Sequence, residues 1–389
     1  MKELSKNMKS QTIIGKNADE NFINTQIAFA LELFHNIINK SDVKQNIMIS
    51  PYSIVQALGM LANGANGMTR LQIEKTIGNM PIEDLNQYLY TQRVSQPNTK
   101  NCKLMTANSI WIRDNKFMQV KQDFLQTNAD YYNSSIFTAP FDNTTVTDIN
   151  KWVNKHTNTM IPKLLDGIPN EAMLYLMNAV AFDAKWQKPY ESYQVKNGKF
   201  KNANSKKQTV KMMHSMEHDY LEDEQATGFL KYYQGGNYAF MALLPNKNIS
   251  VLDYLKNLKL ETFQNLIYTK TRKDVTAVMP KFSYDYELKL SNILPAMGMS
   301  NAFNQNADFS KMAEIANNYL AISEIIHKTH IDVSESGTKA SAVTYDVVYA
   351  GCCAMLERKT VILDRPFIYS ILDTENNLPI FFGVLNFIN

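Results

Sequence analysis

Apolar residues recur at helical spacing soon after a polar start. Ile27, Ala30, Leu31, Phe34, Ile37 and Ile38 fall on one helix face, after a polar, lysine-containing tail over residues 1–20. Ser50-Pro51 predicts a second helix start. The serine hydroxyl suits an N-cap, and proline at the first helical position gives up an N–H that has no partner there. Ile54, Val55, Leu58 and Leu61 continue as a buried stripe, with Gly64 and Gly67 predicting its end. A further helical pattern through Trp152, Val153, Ile161, Leu164 and Leu165 is broken late by Pro162.

The texture changes from about Met173. Leu174 to Phe182 is an almost unbroken apolar run, as expected of a strand covered on both faces. Further strands are predicted at Tyr238 to Leu244, Val275 to Val278, Leu320 to Ile326, Phe367 to Leu372 and Ile380 to Leu385. Helices dominate early and strands late, which predicts an α+β protein rather than repeating βαβ units. No repeat, Gly/Ser linker or low-complexity block divides the chain, so residues 21–389 are read as one large domain.

Composition narrows the function classes. The 389 residues are 45% hydrophobic and 20% charged, with a net charge of +3, too small an excess to argue for nucleic acid or an anionic membrane as partner. The densest basic cluster, Lys199, Lys201, Lys206, Lys207 and Lys211, has asparagines rather than stacking aromatics between its members and reads as a solvated hairpin face. Neither a signal-peptide h-region nor an apolar run of the ~20 residues needed to span a bilayer is visible. The expected location is the cytoplasm, with unconventional export to the extracellular space left open. Cys102, Cys352 and Cys353 make no disulfide framework. The sequons at Asn133, Asn143 and Asn248 matter only in a secretory compartment.

One pentapeptide looks catalytic. His214-Ser215-Met216-Glu217-His218 matches the H-x-x-E-H zinc pattern, but its flanks show no helical stripe that would present both histidines to one metal. It is read as a chance match in a strand or turn. Cys352 and Cys353 have no activating histidine nearby in sequence. G-x-S-x-G, phosphate-loop and G-x-G-x-x-G motifs are absent, so neither an enzyme nor a metal or other cofactor is expected.

The informative segment is Ser334 to Asp364. A connection this long is usually functional. Its first half, Thr338-Lys339-Ala340-Ser341-Ala342-Val343-Thr344, is small or β-branched, without proline. Such residues favour a strand but lack bulk. Thr338, Ala340, Ala342 and Thr344 alternate to make one small face, able to slide onto a packed core; a merely flexible loop would carry more Gly, Ser, Asn and Asp.

With these features in view the chain resembles the serpins along nearly its whole length. Asn46 to Ile54 is similar to the family's N-x-x-x-S-P-x-S-I block. Ala107-Asn108, Ile149-Asn150-Lys151-Trp152-Val153, and Asn178 with Phe182, Lys185, Trp186 and Pro189 follow in order. So do Met279-Pro280-Lys281-Phe282, Gly298-Met299 to Asp308-Phe309-Ser310, His327-Lys328, Glu335, Arg365-Pro366-Phe367 and Phe381-Phe382-Gly383. The resemblance implies the serpin fold: three β-sheets (A, B and C), about nine helices, and an exposed reactive-centre loop over about 335–360. It implies a suicide pseudo-substrate that forms a covalent acyl complex with a serine protease, then inserts its cleaved loop into the central sheet. A monomer liable to loop–sheet polymers is expected.

Position by position, the resemblance implies a hinge of Glu335, Gly337, Thr338, Ala340, Ala342 and Thr344. It implies a hydrogen-bonded shutter of Ser50, Ser53, Asn178 and His327, and a breach marked by Trp186 and by Lys281 paired with Glu335. Thr338 is taken as the first side chain buried on insertion. Asp346 falls on the inward set. Counting along the hinge puts the reactive bond at Gly351-Cys352, with Cys352-Cys353, Met355-Leu356 and a bond after Arg358 as alternatives. Elastase-, chymotrypsin- or cathepsin G-like proteases are the expected targets; a non-inhibitory carrier or chaperone, or an inhibitor of cysteine proteases, is the alternative.

Overall fold

A computed structural model of the protein describes residues 1–40, 45–315, 319–338 and 357–388. Among the described residues are eight α-helices, against the nine or so implied above, and three sheets of eight, nine and two strands. None of these helices is long and apolar enough to cross a membrane.

The eight-stranded sheet carries the architecture. Its core strands are β1 (Cys102–Arg113), β2 (Leu174–Lys185), β3 (Phe282–Lys289), β4 (Glu324–Val333) and β5 (Gly337–Thr338), in the spatial order β1-β2-β5-β4-β3. β1 lies antiparallel to β2, β4 parallel to β2, and β3 antiparallel to β4. The apolar run of β2 is explained by cover on both sides. Leu174 and Leu176 face the main core, whereas Tyr175, Met177 and Ala179 lie under the helix Asn143–His156 through Ile149 and Val153. The strand expected from Leu320 starts only at Glu324; Leu320 and Ile322 are buried, but in irregular chain.

Helix α1 (Glu20–Lys40) buries Ile27, Ala30, Leu31, Phe34, Ile37 and Ile38, as its periodicity predicts. Helix α2 (Pro51–Ala62) differs from expectation. Every one of its residues is buried, not a stripe, because the helix runs through the core beneath the sheet. Ser50 caps it by accepting from the Ser53 N–H at 3.2 Å. Gly67 does not close this helix but opens the following one, Gly67–Ile77.

One other expectation is corrected. The helix through Trp152 stops at His156, where Asn158 and Thr159 turn left-handed, and Leu164 and Leu165 belong to a strap over the sheet. The Asn150 side chain holds that strap by accepting from the Leu164 and Leu165 N–H groups (2.7 and 2.9 Å), so burial there has another cause than helix. The polar tail is docked on the sheet. Lys2–Glu3 adds a short strand beside Ser135–Ala139, and the Leu4 N–H donates to the Ile136 carbonyl at 2.8 Å. The lysine cluster does form a hairpin, Val195–Lys201 with Lys207–Glu222.

Since α2 has no solvent side to relax into, truncation inside it leaves a cavity. Leu58→Ala is expected to lower unfolding free energy by ~2–5 kcal/mol, read as a fall in the first denaturant midpoint.

Candidate functional site

The central sheet is closed at one end and wedged open at the other. β2 and β4 pair directly from Tyr175↔Glu324 to Ala181↔His330. Beyond that point they part, and β5 stands between them, Thr338 opposite both Val333 and Ala184. The chain climbs β4, turns over Ser334–Gly337 and starts back down: the Ser334 N–H donates to the Gly337 carbonyl at 2.9 Å. The turn needs glycine. A Cβ on Gly337, whose φ is +155°, would sit 2.1 Å from the Ala184 carbonyl oxygen.

Thr338 is therefore not waiting to be buried. It is fully buried already, its hydroxyl 2.7 Å from that of Tyr233. The backbone of the Ser334–Gly337 turn is gripped by two residues that follow β2. Trp186 donates its N–H to the Ser336 carbonyl (3.0 Å) and its indole N–H to the Ser334 carbonyl (2.9 Å), while the Tyr190 N–H donates to the Glu335 carbonyl (2.9 Å). The Trp186 ring stacks on Tyr233 at 4.4 Å. Lys281 meets the Glu335 carboxylate at 2.7 Å, with both side chains about one-third exposed (37% and 35%). Burial works against the Glu335 carboxylate, but the Lys281 ammonium prevails and holds it below the usual carboxylate range.

Where β2 and β4 are still zipped, a neutral polar cluster lies beneath them. The Ser50 N–H donates to His327 Nε2 at 3.0 Å, which leaves Nδ1 protonated and donating to Asn178 Oδ1. The Asn178 amide protons are shared among Ser53 Oγ (2.6 Å), the Ser53 carbonyl (2.9 Å) and Asn108 Oδ1 (2.5 Å). The structure thus brings Ser50, Ser53, Asn178 and His327 together. It adds Asn108, which the sequence reading quoted without assigning a role, although β1 sets it directly opposite Asn178. Tyr233 was missed as well, because no sequence signal marks the aromatic residue that will meet Thr338. Burial alone pushes the His327 imidazole down to about 3 from the ordinary 6.5.

The far end of the loop returns as β6 (Arg358–Ile362), parallel to the strand Thr271–Pro280. Arg358 is therefore part of a ladder. Ala340, Ala342, Thr344, Asp346, Gly351, Cys352, Cys353, Met355 and Leu356 lie outside the described residues. His214 and His218 fall on the extended strand Lys207–Glu222, where a separation of four residues is roughly 13 Å, too far for one zinc ion.

The sequence profile described as Serpin (serine protease inhibitor) matches residues 24–387. The chain belongs to the serpin family. It is 29% identical over 379 residues to leukocyte elastase inhibitor of Xenopus tropicalis, covering 94% of this serpin and 98% of that protein. Tengpin, a thermophilic serpin solved in its native state, is 44% identical with a TM-score of 0.94, covering 100% of this chain and 99% of that one. The latent state of tengpin gives a lower TM-score, 0.84, over 96% of this chain and 100% of that one.

The neutral His327 gives this serpin a signed pH dependence. Its pKa is lower folded than unfolded, so between pH 6.5 and about 3 the unfolded chain binds the extra proton. Stability from this group is present above 6.5 and falls as pH drops through that window, by up to about 1.4 kcal/mol per pH unit. His327→Gln should flatten the stability–pH slope between 6 and 4; an unchanged slope would contradict the buried neutral assignment.

Glu335→Lys sets two ammonium groups against each other at the top of the wedge. It is expected to lower the melting temperature and raise the polymer fraction on native gels, whereas unchanged values for both would separate the pair from sheet integrity.

Proposed function

We propose that this serpin is an inhibitory one, a single-use trap for a serine protease. The observation that carries the reading is β5: the loop has begun to enter the sheet with a glycine and a threonine, and small residues follow. The protease serine attacks the carbonyl carbon of the reactive bond, the downstream amine leaves, and an ester joins the upstream half of the loop to the enzyme. That half then extends β5 downward. One β2–β4 ladder is exchanged for two ladders against the new strand, each added hydrogen bond worth ~0.5–1.5 kcal/mol net. Dragging the esterified serine away from its oxyanion hole blocks hydrolysis.

Continuing the Thr338↔Ala184 register would set Ala340 opposite Phe182, Ala342 opposite Val180 and Thr344 opposite Asn178. A threonine hydroxyl would thus arrive where His327 now bonds Asn178, and its polarity suits that position. Asp346 would come opposite Leu176, an apolar level that disfavours its charged form and slows the last steps. Thr338, Ala340, Ala342 and Thr344 are, on this reading, the hinge face; Ser50, Ser53, Asn178, Asn108 and His327 form the shutter that must reopen; and Trp186, Lys281 and Glu335 mark the breach.

The reactive bond is assigned to Gly351-Cys352. Arg358 is a poor bait because a protease cleft would first have to strip β6 from its neighbour. Elastase- or chymotrypsin-like enzymes fit a small or apolar bait residue, and a relative bearing the name leukocyte elastase inhibitor agrees with that preference.

Incubation with elastase-, chymotrypsin- and cathepsin G-like proteases should yield an SDS-stable complex and release a C-terminal peptide beginning at Cys352. A peptide beginning outside 350–360 would overturn the bond assignment. Cleavage without complex would overturn the trapping mechanism itself and favour a carrier-type serpin. Thr338→Arg should convert the protein from inhibitor to substrate, seen as loss of the complex band with cleavage retained.

A further inference from the structure

Close beneath the breach lies a charged pair that no step above uses. Lys231, on the strand Ala226–Tyr232, is only 2% exposed. Burial pulls its ammonium below the ordinary lysine range, with Glu217 pulling the other way. Stripping a charge of water costs several kcal/mol unless partners offset it, and here each ammonium proton has one. Nζ is 2.8 Å from Glu217 Oε1, 3.2 Å from the Lys188 carbonyl and 4.4 Å from the centre of the Tyr190 ring; the Trp186 ring centre is 5.4 Å away. Glu217 is fixed in turn by Ser215 Oγ at 2.6 Å, which also lies 3.3 Å from the Tyr190 hydroxyl.

The two rings under this cation belong to the residues that grip the hinge. Trp186 and Tyr190 together bind three consecutive carbonyls, those of Ser334, Glu335 and Ser336. Between them the chain runs through Gln187, Lys188 and Pro189, and the Lys188 carbonyl is itself a ligand of the ammonium. One cation therefore ties both grips and the segment joining them.

We propose that Lys231, countered by Glu217, is a positioning residue for the hinge: its ammonium fixes Trp186 and Tyr190 so that their N–H groups hold the Ser334–Ser336 turn. Cation–π contacts of this kind strengthen when desolvated, and they are directional enough to set ring orientation. Aliphatic packing at the same place would fill the volume without orienting either ring. The bearing of this pair on trapping rests on the insertion reading above; its action on the hinge backbone does not.

The test is hydrogen–deuterium exchange by mass spectrometry on the full chain, with no protease present. Lys231→Met combined with Glu217→Gln removes both charges and leaves no unpaired charge. Peptides spanning 185–191 should exchange roughly tenfold faster or more, while peptides in the strand Tyr238–Pro245 keep their rates. Lys231→Arg should restore most of the protection. Unchanged exchange over 185–191, or an equal rise across both regions, overturns the proposal, the latter because the pair would then serve the fold as a whole. Should the double variant not fold, Glu217→Gln alone is expected to speed exchange over 185–191 by a smaller factor, and no change there refutes the proposal equally. Since no protease enters the measurement, a failure here is distinct from a failure to trap one.

Discussion

Two parallel strands can hydrogen-bond to each other only where nothing stands between them. β2 and β4 meet that condition from Tyr175 to Ala181, and lose it above, where the hinge hairpin occupies the gap. Their contact is thus a ladder with a replacement already at its edge. On the insertion reading, each further residue of β5 that descended would break one pairing and make two. Two sets of contacts flank that edge: a hydrogen-bonded cluster under the zipped part, and a set of grips on the turn.

The cluster is built entirely of uncharged groups. His327 is kept neutral by burial, and asparagine and serine supply the remaining donors and acceptors. Neutral partners can be exchanged for others of the same kind without exposing a bare charge in the core. Charge is used instead at the top of the wedge. Lys281 and Glu335 are exposed enough for water to screen them, and such pairs contribute ~0–1 kcal/mol. Their place above the turn matters more than their strength.

How much of this was legible in the sequence follows from the range of each interaction. The helix start at Ser50-Pro51 is local chemistry and could be read directly. The small alternating pattern after Thr338 is equally local in the sequence, but beyond Thr338 it lies outside the described residues. Ser50, Ser53, Asn178 and His327 each carry a bland local meaning, and only a resemblance over the whole chain drew them together. Asn108 and Tyr233 act across 70 and 105 residues of sequence, with nothing local to mark them. The strap at Leu164 and Leu165 imitates a helix in burial alone, since a side-chain amide fixes its backbone. The docked tail escaped notice for a similar reason: main-chain pairing at a sheet edge does not require apolar side chains.

β6 gives the loop a second fixed point. Only eighteen residues separate Thr338 from Glu357, at most roughly 60 Å of extended chain. A strand lining all of β2 would use ten of them and leave eight to reach back to β6. So short a return would set full insertion of an intact loop in competition with the pairing of β6 on the strand Thr271–Pro280. Scission removes the second tether at once. On the trapping reading, the parallel ladder of β6 would act as a latch that scission of the loop by a protease bypasses.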